Sequence, residues 1–448
     1  MTQGLGAEEA LERIMAAAKR AGAQACDAVF DESESLSLEV FESAVKNLER
    51  SDSVGIGLRV LVDGRPGYSF TERLTAEAVD RCAEDAVALS RFTDPIDIDL
   101  PGAAAPDAED LELVPPGARE WTPDAMLQAC LEAEEAARAA DRRVQNVPHL
   151  GGTRSKGRML LANSNGFRGV RESVSVSFGV GVVARESGVD KMGWDGISWR
   201  DSRLLRPSDM AREAVVRATS LLGAAPIPSG SIPVLFDERV SGQFLGIFLG
   251  AFLADSVQKG QSRLVGKMGE RIAVEGFHLS TEPRLKGMAG SKRFDAEGIP
   301  TKPRRLVDDG VLRDFLHNLE TSRREGRAPT GDATRGYTGK VSAGFANLQI
   351  DATKGNSTNE LLGRYPRVLH VVKLEGSTGC NPVSGDISIG VQGFVVEHGR
   401  STPVDRVSLS GNFFDLLMRL TALGDRYRPG VHSSFVPAVL VSEMDLAS

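Results

Sequence analysis

The chain has 448 residues, which allows two or three domains with separate cores, and its 41% hydrophobic and 25% charged content is typical of a globular protein. Its formal net charge of -8 argues against a nucleic-acid partner, because such binding depends first on Lys and Arg that neutralise phosphates. The four cysteines lie far apart and form no C-x-x-C pair, which disfavours a zinc knuckle or a redox pair and suits a reducing cytoplasm.

The N-terminal end is predicted to be a helix rather than a targeting segment. Its apolar residues Leu11, Ile14, Met15 and Ala18 recur at helical spacing, with acids ahead of them. No secretion signal is visible, and the most apolar run of the chain, residues 243–255, falls well short of the roughly 20 residues that cross a bilayer. We therefore expect a cytoplasmic protein without a membrane partner.

Strands and helices follow in runs along the N-terminal half. The predicted elements are strands at 26–32, 36–48 and 54–62 with a hairpin turn at Asp63-Gly64, and helices at 75–90 and 122–142 that begin at the N-caps Thr75 and Thr122. Residues 93–121, dense in Pro, Ala, Asp and Gly, are predicted to form a long loop or linker.

A second strand pair is predicted between residues 158 and 185, with a turn at 163–166. One face of its second strand carries Val and Phe. The other face has almost no side-chain bulk and consists of Ser173, Ser175, Ser177, Gly179 and Gly181. Something must lie close against so bare a surface, and we expect another sheet layer rather than a ligand.

Residues 223–231, after a predicted helix at 209–222, are the best domain boundary, and they divide the chain into domains at 1–225 and 226–448. A subdivision of the first domain at the 93–121 linker is the alternative. The second domain is predicted to be mostly antiparallel β with two helices. The helices are residues 243–255 and residues 413–423, the latter capped by Asn412. Strands in consecutive runs predict an α+β fold, whose N-terminal domain packs helices on a mixed or antiparallel sheet.

Local motifs for catalysis are absent. No G-x-S-x-G pentapeptide occurs, and the Gly-Lys pairs at 266–267 and 339–340 lack the remainder of a phosphate-binding loop. Zinc hydrolases usually hold two His one helical turn apart, but the six His of this chain never come within five positions of one another. They are His149, His278, His317, His370, His398 and His432, and their convergence in space stays open. His398 is predicted to lie in a surface turn.

One segment is basic. From Lys259 to Arg335 there are 16 Lys/Arg against 11 Asp/Glu, a net of +5. We interpret this segment as a solvated face opposed to acidic surface elsewhere, with a docking surface for an acidic partner as the alternative.

Two long stretches resemble a known family. Residues 53–91 resemble the N-terminal signature of the TldD/PmbA family, which is related to metalloproteases and was once described as modulators of DNA gyrase. Residues 377–426, with Asn381-Pro382 and Gly385-Asp386, resemble the C-terminal signature of its PmbA (TldE) branch. The resemblance runs from about residue 30 to the end of the chain.

The resemblance bears on the apolar run at 243–255. The TldD branch carries H-E-x-x-x-H on a helix, and residues 260–262 and 269–272 are similar to the elements that follow that motif. Alignment on those elements places Leu245, Gly246 and Gly250 at the positions of the first His, the Glu and the second His. These side chains have no lone pairs for zinc. The resemblance therefore implies that this chain binds no metal and that zinc belongs to a partner.

The same segment can be interpreted without the family. Gly246 and Gly250 are four residues apart, so a continuous helix would place them on one face as a flat strip. Each Gly costs roughly 1 kcal/mol relative to Ala in a helix interior, so we expect another backbone to approach there closely. The segment is then a buried core helix, or a helix that shapes a subunit interface.

The resemblance implies a metal-free subunit of a TldD/TldE-like zinc metalloprotease that trims small or unfolded peptides. A TldD-type subunit would complete a heterodimer, and Gly379, Asn381, Gly385 and Asp386 are candidates for contact with peptide or partner. Exposed strand edges of the C-terminal domain are candidate peptide sites. The alternatives are a non-proteolytic homodimeric binding or regulatory protein, and an autonomous peptidase with metal ligands gathered from distant residues.

Overall fold

The computed structural model describes residues 4–103 and 107–447, and its N-terminal domain is built from six strands and four helices. The helices are α1 (Ala7–Arg20), α2 (Ala76–Leu89), α3 (Pro123–Ala140) and α4 (Pro207–Ser220). The strands are β1 (Ala25–Phe41), β2 (Ala44–Val62), β3 (Arg65–Thr71), β4 (Val144–Asn163), β5 (Arg168–Glu186) and β6 (Val189–Trp199). Of the predicted linker at 93–121, residues 104–106 lie outside the described part, and the rest is irregular apart from a 3-10 turn at Pro116–Glu120 and an isolated bridge at Gly102.

The six strands form one antiparallel sheet in the order β3-β2-β1-β4-β5-β6. All four helices pack on one face, α1 with α2 and α3 with α4. Alternation along each strand buries the Val and Phe residues of β5 beneath the second pair. The N-caps are confirmed, since Thr75 and Thr122 accept hydrogen bonds from the backbone N–H groups of Ala78 and Ala125, each at 3.3 Å.

No sheet layer covers the bare face of β5 in the described part of the chain, so that expectation is wrong. The indole of Trp194, from β6, lies on it instead: a Cβ placed on Gly179 would come within 2.6 Å of that ring. A ring from the neighbouring strand fills space that larger residues would occupy. Beside it, a cavity of about 710 Å³ opens over Ser177 and Gly179.

The C-terminal domain contains short helices and many strands. Its helices are α5 (Ser241–Gly246), α6 (Ala254–Gln258), α7 (Leu319–Arg324), α8 (Thr358–Leu362) and α9 (Phe413–Leu417). Its strands are β7 (Gly230–Phe236), β8 (Leu279–Thr281), β9 (Arg304–Asp308), β10 (Val311–Leu312), β11 (Ala333–Thr334), β12 (Ser342–Ala343), β13 (Leu348–Ile350), β14 (Arg367–Leu374), β15 (Asp386–Glu397), β16 (Arg400–Asn412), β17 (Leu420–Leu423), β18 (Ser434–Phe435) and β19 (Val439–Ala447).

The main sheet of this domain closes on itself. Its order is β16-β15-β14-β7-β19-β17, and β16 also pairs with β19, so five strands make a ring with β17 outside it. The strands β7 and β14 run parallel, which makes the sheet mixed rather than purely antiparallel. A second sheet, β10-β9-β8-β13-β18, packs nearby. With helices and strands in separate runs, the fold is α+β.

The helix predicted at residues 413–423 is shorter than expected. Asn412 caps it as predicted and accepts from the Phe414 N–H at 3.1 Å, but α9 ends at Leu417. Residues 420–423 instead pair with β19, and the sheet hydrogen bonds to distant residues outweigh local helix propensity. The prediction of two helices in this domain is also wrong, since the described residues form five. Each of them is only five or six residues long, which is too short to show a clear helical period in the sequence.

A buried ion cluster joins the two domains. Arg59 on β2 contacts Asp27 on β1 and Glu297 of the C-terminal domain, the latter at 2.7 Å, and Arg335 reaches Asp27 at 2.8 Å. Burial opposes the charge on Asp27, but the two guanidinium groups outweigh that cost and lower its pKa. Nearby, burial and the Glu297 carboxylate raise the pKa of Asp295 to about 7.

The basic segment at 259–335 is largely paired with acids. Arg284 contacts Asp107 and Glu109, Lys286 contacts Glu112, and residues farther along pair in the same way. Several of these acids belong to the 93–121 segment. This agrees with the interpretation that the basic segment faces an acidic surface elsewhere in the chain. Within the described residues, none of the helices combines the length and apolar character that a membrane span requires.

Candidate functional site

The apolar run at 243–255 is a broken helix rather than one continuous helix, which corrects the prediction. The helix α5 ends at Gly246, a 3-10 turn follows at Leu249–Phe252, and α6 begins at Ala254. Between the 3-10 turn and α6 the backbone is extended at Leu253, where it pairs with Leu316 as an isolated parallel bridge. The Ala254 N–H donates to the Leu316 carbonyl at 2.9 Å, and the Leu316 N–H donates to the Phe252 carbonyl at 3.0 Å.

The three positions of the zinc motif face different surroundings. Leu245 is 3% exposed and packs in the core, whereas Gly246 is exposed and Gly250 is half-buried. A Cβ added at either Gly would meet no atom within 4 Å in the described part of the chain. The expected close approach of another backbone of this chain is therefore wrong. A leucyl side chain and two glycines offer no donor atom, so these residues do not fit zinc.

A ladder of aromatic rings connects the motif segment to the C-terminal signature. Its rings are Phe236, Phe244, Phe248, Phe413 and Phe414, with neighbouring centroids 4.2, 6.0, 4.6 and 5.3 Å apart. Burial of such rings contributes much of the stability of a core, and stacked or edge-on pairs add to it. The ladder packs the broken helix against the ring of strands.

The loop before β15 carries the residues of the C-terminal signature. Asn381 accepts backbone hydrogen bonds from Val383 and Ser384 at 2.9 and 3.2 Å, and its own N–H donates to the Asp386 carbonyl at 2.8 Å. Gly385 has a φ of +84°, and a Cβ there would come 2.5 Å from the Phe414 ring. A larger residue would be strained at that position.

The remaining candidates of this loop are also engaged in its own structure. The Asp386 carboxylate accepts from the Ser384 hydroxyl at 2.6 Å and from the Asn412 amide at 3.1 Å, and these hydrogen bonds lower its pKa. A Cβ on Gly379 would come 2.7 Å from the Ser388 carbonyl oxygen. The four predicted residues thus share one loop and shape it, and their contact with a peptide or partner stays a prediction.

Arg263, which the sequence did not single out, connects the motif segment with the C-terminal signature. It follows the motif segment, and its guanidinium lies 5.6 Å from the centroid of the Phe414 ring and 3.5 Å from the Ser384 carbonyl oxygen. The sequence placed Phe414 in a predicted helix but did not predict its contact with Arg263, because a contact between positions so far apart in sequence leaves no local pattern.

The segments joined in this way carry exposed apolar side chains. Val265 and Met268 follow Arg263, Val383 lies in the Asn381 loop, and Met418 follows α9; each is close to half exposed. We call these four residues the apolar patch. Singly exposed apolar residues are ordinary, but four of them around one set of contacts favour an interaction surface.

The histidines do not assemble a metal site. Among the described residues, no three His, Cys, Asp or Glu side chains lie close enough together to hold an ion. His278 contacts Asp308 and His370 contacts Asp237, each at 3.0 Å, and His317 is buried beside Arg327. Burial lowers the pKa of His317. His398 has a φ of +51° in the turn between β15 and β16, as predicted.

Comparison with known proteins gives one consistent result. Models of the PmbA/TldA metallopeptidase match the chain as domain 1 at residues 26–90, as the central domain at 116–222 and as the C-terminal domain at 229–448. Metalloprotease PmbA of Escherichia coli O157:H7 is 28% identical over 414 residues, which cover 90% of this chain and 88% of that protein.

Solved structures share the fold over nearly the whole length. A candidate DNA gyrase modulator from Thermotoga maritima is 27% identical with a TM-score of 0.87, covering 98% of this chain and 100% of that one. TldE from Thermococcus kodakarensis, at 20% identity and a TM-score of 0.86, covers 98% and 100% and is similar in fold. The chain belongs to the PmbA/TldD metallopeptidase family.

Proposed function

We propose that the chain is the metal-free, PmbA/TldE-type subunit of a cytoplasmic zinc metalloprotease that processes small or unfolded peptides, with the zinc held by a TldD-type partner. The observation that carries the proposal is the motif segment. Leu245 is buried in the core, and Gly246 and Gly250 have no donor atoms. A metallopeptidase fold without ligands at those positions needs another polypeptide for the metal.

The apolar patch supports a partner at this surface. Gly246 and Gly250 leave open space beside the motif segment, and the side chains of Val383 and Met418 in the apolar patch are exposed. Apolar side chains surrounded by polar ones, such as Arg263 and Asp386, are the usual composition of a protein interface. The partner would bury side chains that are costly to expose in the lone chain.

The main ring of the C-terminal domain leaves strand edges open to a peptide. Within the described residues, β16 pairs with β19 only at Ser408–Ser410, and β17, with four residues, lies outside the ring. Peptide binding by strand addition uses such free edges. Both these edges and the cavities are therefore candidate peptide-binding parts of the chain.

Mixing with a partner tests the proposal. A TldD-type subunit with an intact H-E-x-x-x-H should form a complex with this chain, and cleavage of an unfolded peptide should be far faster in the mixture than with either chain alone. Met418→Asp and Val383→Asp should weaken the complex, because a charge would be buried in the interface. Val189→Asp, equally exposed but at the start of β6, is the matched control.

A homodimeric, non-proteolytic binding protein is the second candidate, because the same apolar patch would serve two copies of this chain. Sedimentation of the lone chain separates the two. A tight homodimer that Met418→Asp dissociates, with no complex and no cleavage in the mixture, would replace the first proposal. A monomer that associates with the TldD-type subunit would support it.

A further inference from the structure

A cleft of about 550 Å³ lies between the two domains, away from the apolar patch. One wall comes from β6 and α4 and the other from β14 and β15, and Arg428 also lines the cleft. The volume is in the range of small-molecule sites in proteins, which bind preferentially at domain interfaces.

The charges of the cleft leave cations available and carboxylates occupied. Glu213 accepts from Arg217 at 3.1 Å and from Arg239 at 2.9 Å, and Asp237 accepts from His370 at 3.0 Å. These interactions lower the pKa of both carboxyl groups in spite of burial.

Arg428 and Lys373 make no ion pair with any residue that the structure describes. Arg428 donates to the Gly196 carbonyl oxygen through Nη2, and no described residue accepts from the other guanidinium nitrogens. A ligand carboxylate would find two unpaired cations here, whereas a ligand ammonium group would find both lining acids already bound.

Aromatic and aliphatic side chains form the rest of the cleft. Trp194 is 49% exposed, an unusual surface position for so large an apolar group, and Phe394 faces the cleft from β15 next to His370. Val216 of α4 is also exposed. An apolar ligand group placed among these side chains would bury surface that the lone chain leaves in water.

The cleft continues toward the cavity over the bare face of β5, since Trp194 and Arg428 line both. Small residues, Gly151, Gly179 and Gly196 among them, line part of that second cavity. An extended chain that begins in the cleft would pass Trp194 to reach that cavity.

We propose that the cleft binds the C-terminal residue of a short peptide, with the carboxylate on Arg428 and Lys373, the apolar side chain against Trp194 and Phe394, and the preceding residues in the cavity over β5. This inference rests on the proposed function only for the substrate class. Binding is a property of the lone chain and needs neither zinc nor a partner.

Calorimetric titration of the full chain tests the proposal with N-acetyl-Ala-Leu-Phe as the free acid and as the C-terminal amide. The acid should bind at least about tenfold more tightly than the amide, because the neutral amide cannot form the charged hydrogen bonds of the carboxylate with Arg428 and Lys373. Arg428→Gln should abolish the difference between the two peptides, and Trp194→Ala should weaken both about tenfold. Arg91→Gln, an exposed Arg of the N-terminal domain, should leave both unchanged.

Three results would overturn the inference: equal affinity for the acid and the amide, an Arg428→Gln variant that still prefers the acid, or no binding of either peptide. Thermal melts of the variants establish that they are folded, which is expected because both side chains are exposed. Cleavage by the mixture with a TldD-type subunit, without binding by the lone chain, would overturn this inference and leave the proposed function standing. Binding of the peptide acid by the lone chain, without cleavage in that mixture, would support this inference and contradict the proposed function.

Discussion

Glycines of this chain differ in what surrounds them, and that difference is measurable. A Cβ on Gly246 would meet no atom within 4 Å among the described residues, whereas one on Gly393 in β15 would come 1.9 Å from the His370 carbonyl oxygen. Gly246→Ala should therefore keep or slightly raise the free energy of unfolding, by up to about 1 kcal/mol through helix propensity. Gly393→Ala should lower it severely. Urea denaturation of both variants checks this, and a large loss in Gly246→Ala would show that the position is packed.

Asp295 makes the stability of the chain depend on pH in a defined direction. Its pKa is about 7 in the folded chain, whereas an Asp without neighbours has a pKa of 3.8, so between these values the folded state holds a proton that the unfolded state does not. Stability from this group therefore falls as pH rises from about 4 to about 7. Asp295→Asn should remove that decline, which urea denaturation at pH 5, 6 and 7 would show. Parallel curves for the two proteins would contradict it.

At the scale of single elements, the aromatic ladder is the main support of the motif segment. Phe248 is fully buried and stacks on Phe413 at 4.6 Å, so Phe248→Ala should lower the free energy of unfolding by about 3–5 kcal/mol. Phe92→Ala is the control, because Phe92 is 85% exposed and its loss should change little. Similar effects for the two variants would mean that the ladder does not hold the segment.

The elements that the sequence predicted are those with local signals. Alternation in β5, the N-caps Thr75 and Thr122 and the hairpin turn at Asp63-Gly64 follow from neighbouring residues, and all of them are observed. The break in the apolar run and the early end of α9 depend on Leu316 and on β19, which lie far along the chain. Local patterns contain no information on such pairings.

Some features of the candidate site could likewise be predicted from the sequence, whereas others depend on the fold. The absence of donor atoms at Leu245, Gly246 and Gly250 follows from residue identity alone, and so does the grouping of Asn381 with Asp386 in one loop. The contact of Arg263 with Phe414 and the position of Trp194 over Gly179 required the assembled fold. A bare strand face predicted that something lies against it, but not whether that would be a ring or a sheet.

At the scale of the whole molecule, the ion cluster at the domain interface couples the two domains. Arg59→Met would leave the buried Glu297 carboxylate without its guanidinium partner, at a cost of about 3–5 kcal/mol. Calorimetry should then show a lower melting temperature, and proteolysis should open the connection at 223–231. Arg50→Met on the same strand removes a solvent-exposed pair with Glu34 and should change little. Equal stability of the two variants would mean that the cluster does not join the domains.

The central claim is that any zinc-dependent hydrolysis needs a second polypeptide, and the metal content of the lone chain tests it most directly. The full chain, purified alone and equilibrated with zinc, should hold far less than one tightly bound ion per molecule and should not cleave an unfolded peptide. Addition of a TldD-type subunit should produce cleavage that a chelator abolishes. One tightly held zinc per lone chain, together with chelator-sensitive cleavage in the absence of a partner, would contradict the account.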